Sequence, residues 1–192
     1  MKILLLVATS DEIINEYFSK AKVLISGAGM INTTYALTKH LSKNSYDLVV
    51  NMGIAGSFNS AIKIGDTIEV VEDTLSEIGY EDENEFNEFT EFKITNTFKV
   101  EGITNLQQVK GITVNTVHGN EKSIAKIVER INPDVESMEG AACFMVCKKF
   151  NISCIQIRAI SNKVEKRNKE TWDLPLAIKN LNETVAQIIT EL

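Results

Sequence analysis

Residues 154–162 read "CIQIRAISN", an almost continuously apolar run that ends on two small polar side chains. A run of this kind is typical of a strand at the centre of a sheet that is covered on both faces. Arg158 interrupts the run, and a buried guanidinium needs an anion or other acceptors for its five donors. The stretch therefore predicts a central strand with Ser161 and Asn162 at its carboxyl end.

Short apolar runs of the same kind recur along the chain and alternate with amphipathic stretches. Strands are predicted at residues 2–8, 22–26, 47–52, 67–71, 111–117 and 153–160, and helices at 32–42, 121–130, 138–150 and 172–191. Strands that alternate with helices predict an α/β fold, and the length suits a single domain spanning residues 1–192. Sites in such folds lie beyond the carboxyl ends of strands.

The charge and the opening segment restrict the possible partners. A net charge of −6 argues against nucleic acid and anionic membranes, since both need a basic surface. The apolar run after Lys2 is six residues long, too short for the core of a signal peptide or for a bilayer span. We therefore expect a cytoplasmic protein that binds neither nucleic acid nor a membrane.

Neither the cysteines nor the histidines are spaced like metal ligands. Cys143, Cys147 and Cys154 are expected to be packed thiols in a reducing compartment. His40 and His118 are isolated in the sequence and are expected to be structural. No metal and no cofactor is predicted.

Two glycine-containing segments follow predicted strands. "SGAGMINT" at residues 26–33 lacks the third glycine of a dinucleotide fingerprint, so it indicates a close-packed turn with free amides at a helix N-terminus. "MGIAGSF" at residues 52–58 leaves backbone without large side chains. That surface permits either tight packing or a flat ligand.

The segment "DVESMEGAACF" at residues 134–144 combines three acidic residues with small ones. We expect all three in the first turn of a helix, where Asp134 and Glu136 complement the helix dipole. Glu139 has apolar or small neighbours and needs a hydrogen-bonding partner, which two vicinal hydroxyls would provide.

An acidic and aromatic segment, "EIGYEDENEFNEFTEF", covers residues 77–92 without a clean period. It is either a solvated surface segment or a lid whose phenylalanines close over a ligand.

Three motifs together carry a family resemblance. "MGIAG" at 52–56, "VESMEGAA" at 135–142 and "IRAISN" at 157–162 resemble the nucleoside phosphorylase and nucleosidase superfamily, over nearly the whole chain. Within it, "GITVNTVHGN" at 111–120, "IRAISNKVEKRN" at 157–168 and "WDLPLAI" at 172–178 look most similar to the futalosine hydrolases, which remove hypoxanthine from futalosine in menaquinone biosynthesis. The resemblance implies a mixed central sheet with helices on both faces and a purine nucleoside as ligand. It also implies a homodimer or a higher homo-oligomer.

The resemblance also implies roles for the groups that act on the bond. Glu12 would orient and deprotonate the attacking water, and Arg158 would help to hold that water. Asn162 would face the imidazole edge of the purine, and Ser161 would support Asn162.

Further residues would bind the substrate. Gly56 would lie beside the purine or ribose, Met138 would pack against the sugar, and Glu139 would take the ribose hydroxyls. Residues 116–120 would pass over the purine.

The chain departs from the nucleosidases that cleave methylthioadenosine. They have Asp where this chain has Asn162 and Ser where it has Ile54, and this chain is shorter between its first two strands. An asparagine can donate to O6 of hypoxanthine and accept from a protonated N7, so Asn162 predicts a 6-oxopurine leaving group. Because an amide is no general acid, the N7 proton must come from water or a neighbour. A role in capping the turn after the strand is the structural alternative for Asn162.

Hydrolysis of futalosine is therefore the predicted activity, with three alternatives open. One is an adenine nucleosidase of the methylthioadenosine type, and another is a sensor of purine nucleosides without turnover. The third is a phosphate-dependent phosphorylase, which is disfavoured because neither glycine segment contains Lys or Arg. The basic cluster of Lys163, Lys166, Arg167 and Lys169 is either a solvated face or a site for the carboxylate of the futalosine tail.

Overall fold

The computed structural model describes residues 1–18, 21–83 and 85–192, and its largest unit is an eight-stranded mixed sheet. The strands of this sheet are β1 (Ile3–Val7), β2 (Lys22–Ile25), β3 (Leu48–Ser57), β4 (Thr67–Leu75), β7 (Thr97–Lys99), β8 (Gln108–Thr113), β9 (Val135–Ser137) and β10 (Ser153–Lys163), while β5 (Tyr80–Asp82) and β6 (Glu85–Asn87) form a separate hairpin. The helices are α1 (Met30–Leu41), α2 (Glu121–Ile131), α3 (Gly140–Phe150) and α4 (Leu174–Glu191). Short 3-10 turns cover Ser10–Glu12, Asn15–Phe18 and Lys169–Thr171.

Strands β3 and β10 form the centre of the sheet. They pair in parallel from Ser153 opposite Leu48 to Lys163 opposite Ser57. Strand β10 also pairs with β4 in antiparallel fashion, β4 and β8 pair in parallel, and β8 and β9 do the same. Because β9 pairs with the end of β3, these five strands close into a ring, while β1 and β2 extend the sheet beyond β3.

Apolar side chains cover both faces of the central strands, as the continuous apolar runs predicted. Leu5 and Val7 of β1 belong to one core cluster, which also contains Leu181 and Val185 of α4. Leu4 and Leu6 face the other way and belong to a second cluster, which contains residues of α1 and α3. Successive strand residues point to opposite faces. The prediction of a mixed α/β sheet with helices on both faces is confirmed.

The structure corrects the prediction for the acidic segment at 134–144. Val135–Ser137 forms β9, and α3 begins only at Gly140. Asp134 and Glu136 therefore do not lie in the first turn of a helix. The short strand is stabilised by pairing with two neighbours, which periodicity along the chain cannot reveal.

Two other segments also differ from expectation. Strand β8 ends at Thr113, four residues before the predicted end. The segment at 77–92, of which Asn84 lies outside the described residues, contains the β5–β6 hairpin and an aromatic cluster of Tyr80, Phe89 and Phe92. None of these three aromatic residues lines the cavity described below.

Within the described ranges, no helix combines the length and the apolar character that crossing a membrane requires.

Candidate active site

A cavity of about 410 Å³ opens where β1, β3, β9 and β10 end. The ends of β1, β9 and β10 contribute polar side chains to its walls, and β3 contributes small or apolar residues. The residues that line it are Ala8, Thr9, Asp11, Glu12, Ala28, Ile54, Ala55, Gly56, Val117, His118, Glu136, Ser137, Met138, Glu139, Ser161, Asn162, Arg167, Trp172, Leu174 and Ile178. Six of the seven predicted site residues are among them, and Arg158 is not.

Glu12 is held by backbone amides at the end of β1. Its Oε2 accepts from the amides of Ala8 at 3.2 Å and Thr9 at 3.0 Å, and its Oε1 accepts from Ile54 at 3.2 Å. Burial raises the pKa of this carboxyl, while the Arg158 charge and the amides oppose that shift. A carboxylate with a raised pKa is a better general base than an exposed one.

Arg158 lies fully buried beneath the cavity floor. One Nη2 contact is to Asn51 Oδ1 and another, at 3.3 Å, is to Gln156 Oε1, so part of the demand for acceptors is met by amide oxygens. Its Nε has no hydrogen-bond partner in the structure. No ion pair joins Arg158 to Glu12 in the parts of the chain that the structure describes.

Because Gly53 has no side chain, Glu12 and Arg158 can both lie against the backbone of β3. A β-carbon at Gly53 would lie 2.9 Å from Glu12 Oε1 and 3.2 Å from Arg158 Nη1. Any side chain here would crowd the carboxylate and the guanidinium. The first glycine of the "MGIAG" segment therefore provides the space that the carboxylate and the guanidinium occupy.

Asn162 follows a bulge in β10 and its amide orientation is fixed. The register against β3 shifts between Ile160 and Asn162, and bulges of this kind redirect side chains next to sites. Ser161 Oγ donates to Asn162 Oδ1 at 2.8 Å, and Asn162 Nδ2 donates to the Lys163 carbonyl at 2.9 Å. The amide keeps one N–H and one lone pair for a ligand.

Gly56 borders both Asn162 and Glu136. A β-carbon at this glycine would lie 3.1 Å from Asn162 Nδ2, 3.6 Å from Glu136 Cγ and 2.9 Å from Val164 Cγ2. The position admits no side chain without displacing its neighbours.

Glu139 precedes α3 and contacts the glycine turn after β2. Its Oε1 accepts from the amide of Gly29 at 2.9 Å, so the partner that the sequence required is supplied partly by protein. Its Oε2 has no partner among the described residues and remains available to a ligand. Met138 lines the cavity beside it.

Sequence reasoning missed the contact between His118 and Glu136. His118 Nδ1 lies 2.6 Å from Glu136 Oε2, and the backbone amide of His118 donates to Glu136 Oε1 at 3.0 Å. His118, which is isolated in the sequence, therefore has a carboxylate partner in the fold. The sequence clue to this contact is Glu136 itself, a carboxylate between Val135 and Ser137 in a buried strand. A helix-dipole role explains the same glutamate in the sequence, so the clue does not stand out.

His40, the second histidine, lies elsewhere. Its Nε2 is 2.9 Å from the hydroxyl of Tyr46, and it does not line the cavity.

A buried polar network lies behind the site and was also missed. Asp73 Oδ2 accepts from Gln156 Nε2 at 2.8 Å and its Oδ1 accepts from Thr113 Oγ1 at 2.9 Å. Burial is the main cause that raises the pKa of Asp73 to about 6. Thr113 Oγ1 in turn accepts from the amide of Ala141, which places this network at the N-terminus of α3.

The basic cluster that begins at the end of β10 does not form a single charged surface. Lys163 Nζ donates to the carbonyls of Asn59, at 2.9 Å, and Ile62, so its charge is committed to a loop. Arg167 lines the cavity, with its guanidinium 5.0 Å from the centre of the Trp172 ring. Arg167 is therefore the basic residue of this cluster that can meet a ligand in the cavity.

The three cysteines cluster in the apolar core. Cys143 Sγ lies 3.5 Å from Cys154 Sγ and 4.0 Å from Cys147 Sγ, and all three sulfurs lie within 4.8 Å of one another. Three thiols at this spacing could ligate a soft cation. None of them lines the cavity, so this group is separate from the candidate active site.

Fold and site together define an α/β protein with a small-molecule cavity at the strand ends, lined by carboxylates, an amide and an imidazole. The family model described as the phosphorylase superfamily matches residues 11–192, and the chain belongs to that superfamily. The predicted resemblance is confirmed.

Two relatives and one solved structure specify the similarity. The futalosine hydrolase of Thermus thermophilus is 24% identical over 88% of this chain and 80% of its own length. The 5′-methylthioadenosine/S-adenosylhomocysteine nucleosidase of Geobacillus sp. is 27% identical over 88% of this chain and 80% of its own length. The native structure of futalosine hydrolase of Helicobacter pylori has a TM-score of 0.85, with 18% identity over 100% of this chain and 98% of that one, which shows the shared fold.

Proposed function

We propose that this chain hydrolyses the N-glycosidic bond of a 6-oxopurine nucleoside, with futalosine as the substrate. At the coarser level the chain is a hydrolase acting on N-glycosyl bonds, in line with relatives named futalosine hydrolase and 5′-methylthioadenosine/S-adenosylhomocysteine nucleosidase. Identity to the two kinds of relative is similar, so the choice between them rests on the chemistry of the site.

The observation that carries the choice is the fixed amide of Asn162. Ser161 and the Lys163 carbonyl hold its oxygen and nitrogen in defined places. Rotating the amide by half a turn would set Oδ1 against the Lys163 carbonyl, which is repulsive. The free N–H therefore suits O6 of hypoxanthine, and the free lone pair suits a protonated N7.

Two observations favour water over phosphate as the nucleophile. Glu12 is a buried carboxylate with a raised pKa, as a base for water requires. In addition, the Gly29 amide, which could otherwise bind an anion, donates to the Glu139 carboxylate. A phosphate placed there would meet a negative charge.

The reaction follows from this arrangement. As the C1′–N9 bond breaks, its electron pair moves into the purine while the ribose becomes cationic, and Asn162 stabilises the charge on the base. Glu12 takes a proton from water as the water oxygen bonds to C1′. Glu139 holds the ribose hydroxyls through Oε2, and Met138 packs against the sugar.

Base release without phosphate is the direct test. Futalosine, inosine and methylthioadenosine are incubated in parallel, and free purine is measured by chromatography. Hypoxanthine from futalosine supports the proposal, and adenine from methylthioadenosine would contradict the role of Asn162. Release only after phosphate is added would identify a phosphorylase, and binding without release would identify a sensor.

Arg167 supplies a test for the tail of futalosine. Arg167→Gln is expected to raise the KM for futalosine about tenfold, because a charged hydrogen bond to the tail carboxylate is lost. The KM for inosine, which has no such carboxylate, should stay the same. Lys166→Gln, at an exposed neighbouring position, is the matched control. An equal change for both nucleosides would contradict a role in reading the tail.

The predicted oligomer and the cytoplasmic location remain predictions. Ile31 and Tyr35 on α1 are 77% and 67% exposed, beside an apolar groove that Met30 and Met145 also line. An exposed apolar face of this kind supports assembly with a second copy.

A further inference from the structure

We propose that His118, oriented by Glu136, is the acid that protonates the departing purine. This inference rests on the proposed hydrolysis of a purine nucleoside and supplies the proton that Asn162 cannot give. It assigns a catalytic role to a histidine that the sequence alone placed among structural residues.

The contacts fix one side of the imidazole and leave the other side open. Glu136 bonds to both the backbone amide and Nδ1 of His118, so the ring is held against a carboxylate that is 4% exposed. Nε2 lies on the opposite side of the ring from Nδ1 and has no partner among the described residues. A carboxylate bound to Nδ1 fixes the orientation of the ring, so Nε2 is the nitrogen that can reach a ligand.

The position of this pair in the cavity matches the purine end of the proposed complex. His118, Glu136 and Asn162 all line the same cavity. Glu136 and Asn162 also flank the same glycine, Gly56, which would lie beside the purine. Phe58 packs edge-on against the His118 ring at 6.0 Å and restricts its movement.

The proton transfer balances the reaction. As the C1′–N9 bond breaks, Nε2 of protonated His118 gives its proton to N7, and the purine leaves as neutral hypoxanthine. Asn162 Oδ1 then accepts from N7–H, and Nδ2 donates to O6. Glu12 has taken one proton from water, and that proton returns through solvent to restore His118.

Several charged groups lie next to His118 or line the same cavity. Glu136 contacts it from β9, and Arg167 packs next to Gly119, the following residue. The other charged residues that line the cavity are Asp11, Glu12 and Glu139.

The pH profile of kcat/KM tests the assignment. The native protein should lose activity on the alkaline side as His118 loses its proton. In His118→Gln that alkaline limb should disappear, and kcat for futalosine should fall roughly 10²- to 10⁴-fold. His40→Gln is the matched control, since the chain has two histidines, and it should change neither value.

The variant Glu136→Gln tests whether Glu136 positions the His118 ring for catalysis or only stabilises the fold. Removing the carboxylate that orients the ring should lower kcat while the KM for futalosine stays near native, a split that a stability defect alone would not cause. Circular dichroism confirms that each variant is folded. If His118→Gln keeps both the native kcat and the alkaline limb, the inference about His118 is wrong while hydrolysis stands. If the native protein releases no purine from any nucleoside, the proposed function itself fails.

Discussion

In the proposed function, the side-chain amide of Asn162 selects the purine that the cavity accepts. Its N–H is the donor for a carbonyl at C6, whereas a carboxylate would offer only oxygen. Asn162→Asp should therefore lower kcat/KM for the 6-oxopurine substrate roughly 10²- to 10⁴-fold, because O6 would face an acceptor. The new carboxylate would also lie next to the Lys163 carbonyl.

The measurement compares futalosine with methylthioadenosine for the native protein and the variant. The preference should shift towards the aminopurine, which offers a donor at C6. Asn168→Asp, an exposed asparagine after the same strand, controls for the added charge. An unchanged preference would argue that Asn162 only closes the turn.

Glu12 offers a second prediction at this scale. Glu12→Gln should lower kcat by roughly 10²- to 10⁴-fold, because an amide cannot take the proton from water. Hypoxanthine binding, measured by calorimetry, should remain. Glu16→Gln, an exposed neighbour, should behave like the native protein.

The pH dependence of Glu12 has a definite sign. Only the ionised carboxylate accepts a proton, and burial raises its pKa. Activity should thus fall as pH drops through a value above that of an exposed glutamate. An acid limb that persists unchanged in Glu12→Gln would point to another base.

Most of the site residues that the sequence predicted line the cavity, but the hydrogen-bond partners of those residues were not predicted. Asn162 ends an apolar run, Glu139 has small or apolar neighbours and Glu12 is implied by the family resemblance, and all three line one cavity. The partners of Glu139 and Arg158 could not be found, since Gly29 and Asn51 lie 110 and 107 residues away in sequence. Nothing in the local pattern distinguishes such amide contacts from a ligand.

At the scale of elements, helix α4 positions the turn that carries Glu12. Asn182, fully buried on α4, accepts from the Ile14 amide at 2.8 Å and donates to the Glu12 carbonyl at 3.0 Å. The helix thus binds the backbone at the C-terminal end of the 3-10 turn at Ser10–Glu12. Periodicity predicted α4, but a polar residue on its buried face gave no indication of which loop it meets.

Asn182→Ala should weaken both the fold and catalysis. Two partly buried backbone groups would lose their partner, so the free energy of unfolding should fall by about 1 to 3 kcal/mol. The kcat should also fall, by about tenfold, because the Glu12 turn is no longer fixed.

Asn180→Ala is the matched control on the same helix. Asn180 Nδ2 donates to the Gly65 carbonyl at 2.7 Å, away from the catalytic turn. This variant should lose stability while kcat stays native. Equal kcat losses in both variants would mean that α4 acts through stability alone.

At the scale of the whole molecule, the closed ring of β3, β10, β4, β8 and β9 surrounds a buried carboxyl. The runs of apolar residues predicted most of these strands, because each run is continuous in sequence. The closure depends on the antiparallel pairs of β10 with β4 and of β3 with β9. Those pairings join distant segments, and no local signal specifies them.

Asp73 makes the stability of the whole fold depend on pH. Its pKa is raised to about 6 in the folded protein, from 3.8, chiefly by burial. A carboxyl with a raised pKa binds more protons when folded, so the contribution of Asp73 to stability is fully present below the unfolded value and is lost as pH rises through about 6. The size of this effect is at most roughly 3 kcal/mol.

Asp73→Asn should flatten this dependence. Urea unfolding at several pH values between about 4 and 7 measures the slope for both proteins. The native protein should lose stability across this window relative to the variant. Parallel curves for the two proteins would show that Asp73 does not titrate there.

The reactivity of the three cysteines can report how often the hydrophobic core of the protein opens to solvent. Cys143, Cys147 and Cys154 are 0%, 1% and 7% exposed, and each lies in the core cluster shared by α1 and α3. A thiol reagent added to the folded protein must wait for this core to separate from the sheet. The rate at which the sulfurs are labelled therefore measures how often the molecule opens, without a dye or an engineered probe. A bound nucleoside should slow that rate in proportion to its occupancy.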